Sequence, residues 1–162
     1  MAEIDGAVKK LQVQFPAFPL DLQTFRNEVT ITVPKGQIFE VCKFLFSDPD
    51  LQYHFLTDLC GLDLFPETPR FHVVYLLTSM KNNQRLRLKT KVGEGESVPS
   101  VESIWKAADW LEREVYDLFG IPFENHPDLR RILLWDGFEG HPLRKDFPVE
   151  GPDFDKPFVP EV

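Results

Sequence analysis

Of the 14 prolines in the 162-residue chain, Pro122, Pro127, Pro142, Pro148, Pro152, Pro157 and Pro160 all fall beyond Gly120. Proline fixes φ and donates no amide, so a segment this rich in it is neither a helix interior nor a central strand. No helical or strand period survives there except briefly at Leu129–Trp135. The segment is no polar linker either, because Phe123, Leu129, Ile132, Leu133, Leu134, Trp135, Phe138, Leu143, Phe147, Phe154 and Phe158 keep it apolar. Such a stretch has two ways to cover its side chains: it packs back on its own domain, or it lies along another protein. A long aperiodic stretch inside a compact domain is unusual, which favours the partner. The chain is therefore expected to divide into a two-layer α/β domain over 1–120 and an extended, partner-docking C-terminal segment over 121–162.

The first part is periodic throughout. Ile4, Val8 and Leu11 stand at helical spacing in residues 3–14. Asn27 to Val33 alternates, with Val29, Ile31 and Val33 on one side, and Pro34 stops it. Residues 36–47 place Ile38, Val41, Cys42, Leu45 and Phe46 on one helical face, and Ser47-Asp48-Pro49-Asp50 is a turn by residue chemistry. Strands follow at Phe55–Asp63 and Arg70–Ser79, then Asn82-Asn83 turns the chain into Arg85–Val92. Arg85, Arg87 and Lys89 alternate there with Leu86, Leu88 and Thr90, which predicts one solvated or acid-paired face. Pro99 and Ser100 introduce a helical region in which Val101, Ile104, Trp105, Ala108, Leu111, Val115 and Leu118 recur, and Gly120 stops it. The fold class is α+β: a two-layer α/β sandwich with a mixed, mostly antiparallel sheet, followed by a helix and an extended C-terminal tail.

Several function classes drop out on chemistry. With 26 acidic against 18 basic side chains the net charge is -8, which opposes nucleic acid and anionic membrane, since both need a positive field. No apolar run approaches the ~20 residues of a membrane span. The N-terminus lacks a basic region followed by an apolar core, so no secretory signal is expected. Cys42 and Cys60 stand without a CxxC partner. An iron–sulfur cluster asks for four thiolates and structural zinc for four Cys/His ligands, so no metal is expected here. Gly93-Glu94-Gly95-Glu96-Ser97 is a flexible link that cannot cradle phosphate, because no Lys follows in P-loop order and two Glu repel the anion.

What remains is a dense constellation from Glu112 to Pro148. It opens Glu112-Arg113-Glu114-Val115-Tyr116-Asp117-Leu118-Phe119-Gly120, continues His126-Pro127-Asp128-Leu129-Arg130-Arg131-Ile132-Leu133, and closes Gly137-Phe138-Glu139-Gly140-His141-Pro142-Leu143-Arg144-Lys145-Asp146-Phe147-Pro148. On a helix Arg113 and Asp117 stand at i,i+4, as do Glu112 and Tyr116, so these charges can pair locally. Arginine forks suit bidentate carboxylate pairing at interfaces, so the doublets Arg130-Arg131 and Arg144-Lys145 beside aromatics have the chemistry of docking points. A free-standing acid/base enzyme built on Glu112, Asp117 and His126 is the competing class. It lacks a placed Ser or Cys nucleophile and any HExxH-type metal spacing, so no catalytic residue is assigned.

These three motifs, in this order and at this spacing, resemble the signature of the 30 kDa subunit family of respiratory complex I, the proton-pumping NADH:quinone oxidoreductase. The similarity also takes in Val98-Pro99-Ser100-Val101 and the strands from Phe55 onward, spanning roughly residues 30–150. The resemblance implies a cofactor-free structural subunit of the hydrophilic arm, with FMN, the iron–sulfur clusters and the quinone held by other subunits. It implies as partners the large quinone-site subunit (49 kDa, D-type) and the B-type and I-type iron–sulfur proteins of the complex. It places the chain peripherally at the cytoplasmic face of the bacterial inner membrane. By motif position it marks Glu112, Arg113, Glu114, Asp117, His126, Arg130, Arg131, His141, Arg144, Lys145 and Asp146 as assembly contacts, folding within the chain being the alternative role for some. Related subunits occur in hydrogenase-like and in ferredoxin- or F420-dependent membrane complexes; the near-complete match through His141–Pro148 favours the NADH enzyme.

Overall fold

A computed structural model describes residues 4–17, 21–26 and 28–150. Asn27, at the head of the first expected strand, and everything after Glu150, including Phe154 and Phe158, lie outside the described residues.

The chain opens with helix α1 (Ile4–Gln14), whose Ala7 and Leu11 are fully buried. Strand β1 (Asp21–Phe25) pairs antiparallel with β2 (Glu28–Thr32). A single 3-10 turn leads into α2 (Ile38–Ser47), which buries Ile38, Val41, Cys42 and Leu45, four of the five residues expected on its inner face, with Phe46 only partly buried. Asp48 ends that helix: its carboxylate accepts the amides of Asp50 and Leu51 and the ammonium of Lys10, so α1 is tied to the end of α2. Three long strands follow as an antiparallel meander, β3 (Phe55–Asp63), β4 (Phe71–Ser79) and β5 (Gln84–Val92). Asn83, at φ 51°, takes the left-handed position that asparagine tolerates in the β4–β5 turn.

β5 returns to the centre of the sheet and pairs with β2 in parallel, giving the order β1-β2-β5-β4-β3. That parallel pair makes the sheet mixed; β1–β2, β3–β4 and β4–β5 are antiparallel. The register puts Ile31, Leu88, Tyr75 and Leu59 in a row across it, all buried, and with the apolar faces of α1 and α2 they form one core. Helix α3 (Ala108–Phe119) packs over β3 on the same face, so closely that a Cβ on Gly61 would come within 2.7 Å of the Phe119 ring. The architecture is the expected two-layer α+β sandwich, with α1, α2 and α3 on one side of the sheet.

Two local expectations change. β1 had no counterpart in the sequence reading: its five residues are all exposed, so no alternation marks it. The helical region expected from Pro99 onward begins only at Ala108. Val98–Pro99 is instead strand β6, paired in parallel with β7 (Phe123–Glu124). Between them successive turns (Ile104 N to Val101 O, Ala108 N to Trp105 O) bury Val101 and Trp105 at helix-like spacing without continuous helix. Trp105 donates its indole N–H to the Tyr53 carbonyl (3.1 Å), which locks this segment to the core.

Candidate functional site

The constellation read from the sequence gathers around α3. This helix is amphipathic in an uncommon way, because Glu112, Arg113 and Asp117 lie among its buried residues with Ala108 and Val115. A buried charge needs partners, and each of the three has them.

Glu112 turns back onto the preceding segment. It accepts the Ser100 hydroxyl at 2.6 Å and the Val101 amide at 2.7 Å, and so pins the β6 end of the chain against the helix. Burial pushes its carboxyl up to about 7, against the pull of those two donors. Beside it stands His126, its side chain wholly enclosed. The Asp128 amide donates to Nδ1 (3.1 Å), which leaves the proton on Nε2; that N–H faces the Asp109 carbonyl (3.2 Å) with Glu112 Oε2 3.9 Å away. Arg113 lies over the Trp110 ring and donates from Nε to the Arg130 carbonyl. Glu114 is exposed.

Asp117 is the most heavily used group. Its Oδ2 accepts three consecutive amides, from Ile132, Leu133 and Leu134, at 3.1, 2.8 and 3.0 Å, while Oδ1 takes Arg131 at 3.1 Å. Burial raises this carboxyl, but the three amides and Arg131 outweigh it, and the net position is below the usual carboxylate value. Arg131 reaches on to the Gly140 carbonyl. Past the helix, Gly120 sits at φ +71° with its amide on the Tyr116 carbonyl, the left-handed stop that glycine provides. Over it close two side chains: His141 donates from Nδ1 to the Asp117 carbonyl (2.8 Å), and Arg144 donates from Nε to the Phe119 carbonyl (2.7 Å). Burial lowers the His141 pKa, more than its hydrogen bond to Asp117 restores.

A second knot ties the segment to the sheet. Arg70, almost fully buried, forks onto Asp63 (2.9 and 2.7 Å) and onto Asp146 (3.0 and 2.5 Å), between the Phe65 and Phe71 rings. The Lys145 amide also donates to Asp63, while the Lys145 side chain stays exposed. Arg70 holds the Asp63 carboxyl far below the usual range. Sequence reading missed Arg70 and Asp63. Their pairing across neighbouring strand ends is a faint signal; the link to Asp146 is 76 residues long and has none.

The side chains that face outward on this framework are different ones. Leu133, Trp135 and Leu143 are 60%, 59% and 51% exposed, and Arg130 extends beside them, paired with Asp128. Trp135 leans edge-on against Phe138, which stacks on Phe147. Among the described residues no three His, Cys, Asp or Glu side chains group so as to hold a metal ion, and no helix is long and apolar enough to cross a membrane.

Residues 31–153 match the family described as respiratory-chain NADH dehydrogenase, 30 Kd subunit. The chain belongs to that family. It is 51% identical over 155 residues to the C-type subunit of the NADH-quinone oxidoreductase of Geobacter sulfurreducens, covering 94% of both chains. It is 53% identical over 154 residues to the corresponding C-type subunit of Geobacter metallireducens, again over 94% of each. Among solved structures it resembles the trypsin-resistant fragment (1-134) of Nqo5, with a TM-score of 0.66 at 30% identity, over 76% of this chain and 99% of that one. The family match covers the sheet from Ile31, α3 and both knots of the C-terminal segment.

Proposed function

We propose that the chain is the C-type subunit of a proton-pumping NADH-quinone oxidoreductase and acts there as a structural, non-catalytic part of the hydrophilic arm. The observation that carries this is the division of labour around α3: charged motif residues are spent inside the chain, and apolar ones are left outside. Glu112, Asp117 and His126 have no exposed side-chain surface, so no substrate reaches them, which speaks against the free-standing acid/base enzyme. What they hold is a segment presenting Leu133, Trp135, Leu143 and Arg130, a set with the tryptophan-and-arginine character of interface hot spots.

In this proposal Arg130, Glu114 and the Lys145 side chain are direct contacts to neighbours. Glu112, Arg113, Asp117, His126, Arg131, His141, Arg144 and Asp146 are positioning residues that set the shape of the contact face. The neighbours are the large quinone-site subunit and the B-type and I-type iron–sulfur proteins. FMN, the iron–sulfur clusters and the quinone are held by other subunits of the complex, and the chain lies peripherally at the cytoplasmic face of the inner membrane.

The test is Leu133→Asp with Trp135→Asp. Losing a buried tryptophan anchor costs about 2 kcal/mol or more at an interface, so assembled complex should fall at least ~20-fold when this chain is limiting. The isolated variant should stay folded and melt close to the parent chain, since both side chains are more than half exposed and Trp135 touches only the Phe138 edge. Normal assembly and normal NADH:quinone activity would refute the docking face. Recovery of the chain in a hydrogenase-like or ferredoxin-linked set would keep its structural role and change the reaction.

A further inference from the structure

Helices α1, α2 and α3 cover one side of the sheet, and among the described residues no helix covers the other. By register that side carries Arg85, Arg87, Lys89 and Lys91 of β5 in one line, beside Thr78, Leu76, Val74 and His72 of β4. On a chain of net charge -8 this is a concentrated positive strip. Successive charges on one strand face stand only about 6.6 Å apart, and like charges so close repel. The acids on that face do little to relieve this. Glu28 holds Arg87 at 2.6 Å, Asp58 turns its Oδ1 to the Leu59 amide, and Asp21 shares the row of Lys89 from the edge strand β1, two strands away. Among the described residues no acid pairs with Arg85, Lys89 or Lys91. Burial, then Lys89 and Lys91, lower the pKa of His72, which stands opposite Lys91, against the pull of Glu67.

The strip has a socket at one end. A shallow cavity of about 210 Å³ is bordered by Arg85, Arg87, Thr57, Thr78, Leu76 and Glu28. The two threonine hydroxyls sit 2.7 Å apart, so one of them remains free to donate outward. A guanidinium with an unspent fork, a hydroxyl and a leucine floor suit a carboxylate on a short apolar stem. Beyond it the face offers half-exposed Phe55 and Leu62, 49% and 42% accessible.

We propose that this bare sheet face is a second docking surface, occupied by an acidic protein segment of a neighbouring subunit that seats an Asp or Glu between Arg85 and Thr78. The proposal rests on the assembly function above but concerns the sheet face turned away from the helices, whereas the Trp135 segment is tied to α3 through Asp117. Charge complementarity selects the occupant. The strip is one strand wide, flanked by Leu76 and Val74 of β4 on one side and by Thr30 and Thr32 of β2 on the other, and the net negative charge of the chain repels the extended phosphate array of a nucleic acid or an anionic bilayer.

The experiment is lysine acylation of the full chain, alone and within the purified complex, followed by zero-length carbodiimide coupling of the complex. Lys89 and Lys91 should react at least roughly tenfold more slowly in the complex, and should couple to Asp or Glu of another subunit. Arg85→Glu with Lys91→Glu should lower the yield of complex by a similar factor, and Arg85→Lys with Lys91→Arg should restore it. Equal acylation in both states, or links joining two copies of this chain, would overturn the proposal while leaving the assembly role intact. A chain that enters no complex would overturn both.

Discussion

Asp117→Ala is the sharpest probe of the C-terminal framework. The substitution removes the acceptor of three amides and of Arg131 at once. Hydrogen bonds to a charged partner contribute about 1.5–3 kcal/mol each, and four of them sum naively to roughly 6–12 kcal/mol. The real cost is smaller, because the carboxylate no longer has to be desolvated and because Leu133 is already exposed, so water reaches part of the freed loop. Breaking one side of a buried ion pair typically costs about 3–5 kcal/mol, and the lower end applies when the loop can detach by itself. About 3 kcal/mol corresponds to a fall in Tm of roughly 6–12 °C for a chain of this size. If the loss is taken as local opening instead, hydrogen exchange at the Ile132, Leu133 and Leu134 amides should accelerate by at least ~100-fold, two decades at about 1.36 kcal/mol each. Thermal melting and exchange mass spectrometry on the isolated chain separate the two. Unchanged protection together with a Tm within about 2 °C of the parent would refute the claim that Asp117 holds this segment.

Glu112→Gln tests the buried carboxyl. Its folded value of about 7 lies above the ordinary 4.5, so between those pH values the folded chain keeps a proton that the unfolded chain releases. Stability therefore declines as pH rises through this window, by about 3 kcal/mol; Gln should abolish that slope in denaturant titrations across the window, and an unaltered slope would place the titration elsewhere. Gly120→Ala puts a Cβ 2.5 Å from His141 Nε2 and 2.7 Å from Arg144 Nη2 at a φ of +71°. A cost of about 2–4 kcal/mol is expected from strain plus two displaced side chains, and a loss under ~0.5 kcal/mol would mean that both swing aside freely.

The parts of the fold legible in sequence are those with a one-dimensional signature. β3 begins and ends as expected, β4 and β5 differ by one residue at one end, and α2 buries four of the five residues of the predicted face. β1 escaped because an edge ribbon with every residue exposed obeys no burial period. The segment before Ala108 misled because isolated turns repeat apolar contacts at the same three- and four-residue steps as a helix. The motif residues around α3 were visible as a set, and their roles were not. Asp117, His141 and Arg144 bind mostly main-chain amides and carbonyls, which nearly every residue has, so the few side-chain partners (Arg131 on Asp117, Glu94 on Arg144) do not mark their roles in the sequence. The same holds for tail direction. Residues 121–150 fold back through Asp63, Arg70 and Asp117, contacts that span up to 82 residues of chain.

The proposed docking role would explain why such a segment is fixed by charge and not by a second hydrophobic core. Apolar side chains turned inward would leave nothing to dock, and turned outward they cannot hold the loop. Buried carboxylates and arginines resolve this, since they order the backbone while leaving Leu133, Trp135 and Leu143 free. Ordering a residue on binding costs about 1–2 kcal/mol of conformational entropy. A framework formed during folding removes that cost from assembly. It also predicts that two kinds of damage are separable. Changes at Asp117, Gly120 or Arg70 should lower the stability of the isolated chain and its assembly together, whereas changes at Leu133 or Trp135 should lower assembly alone. If frame variants assembled normally despite a destabilised loop, partners would be ordering the segment themselves, and the preformed face would have no functional meaning.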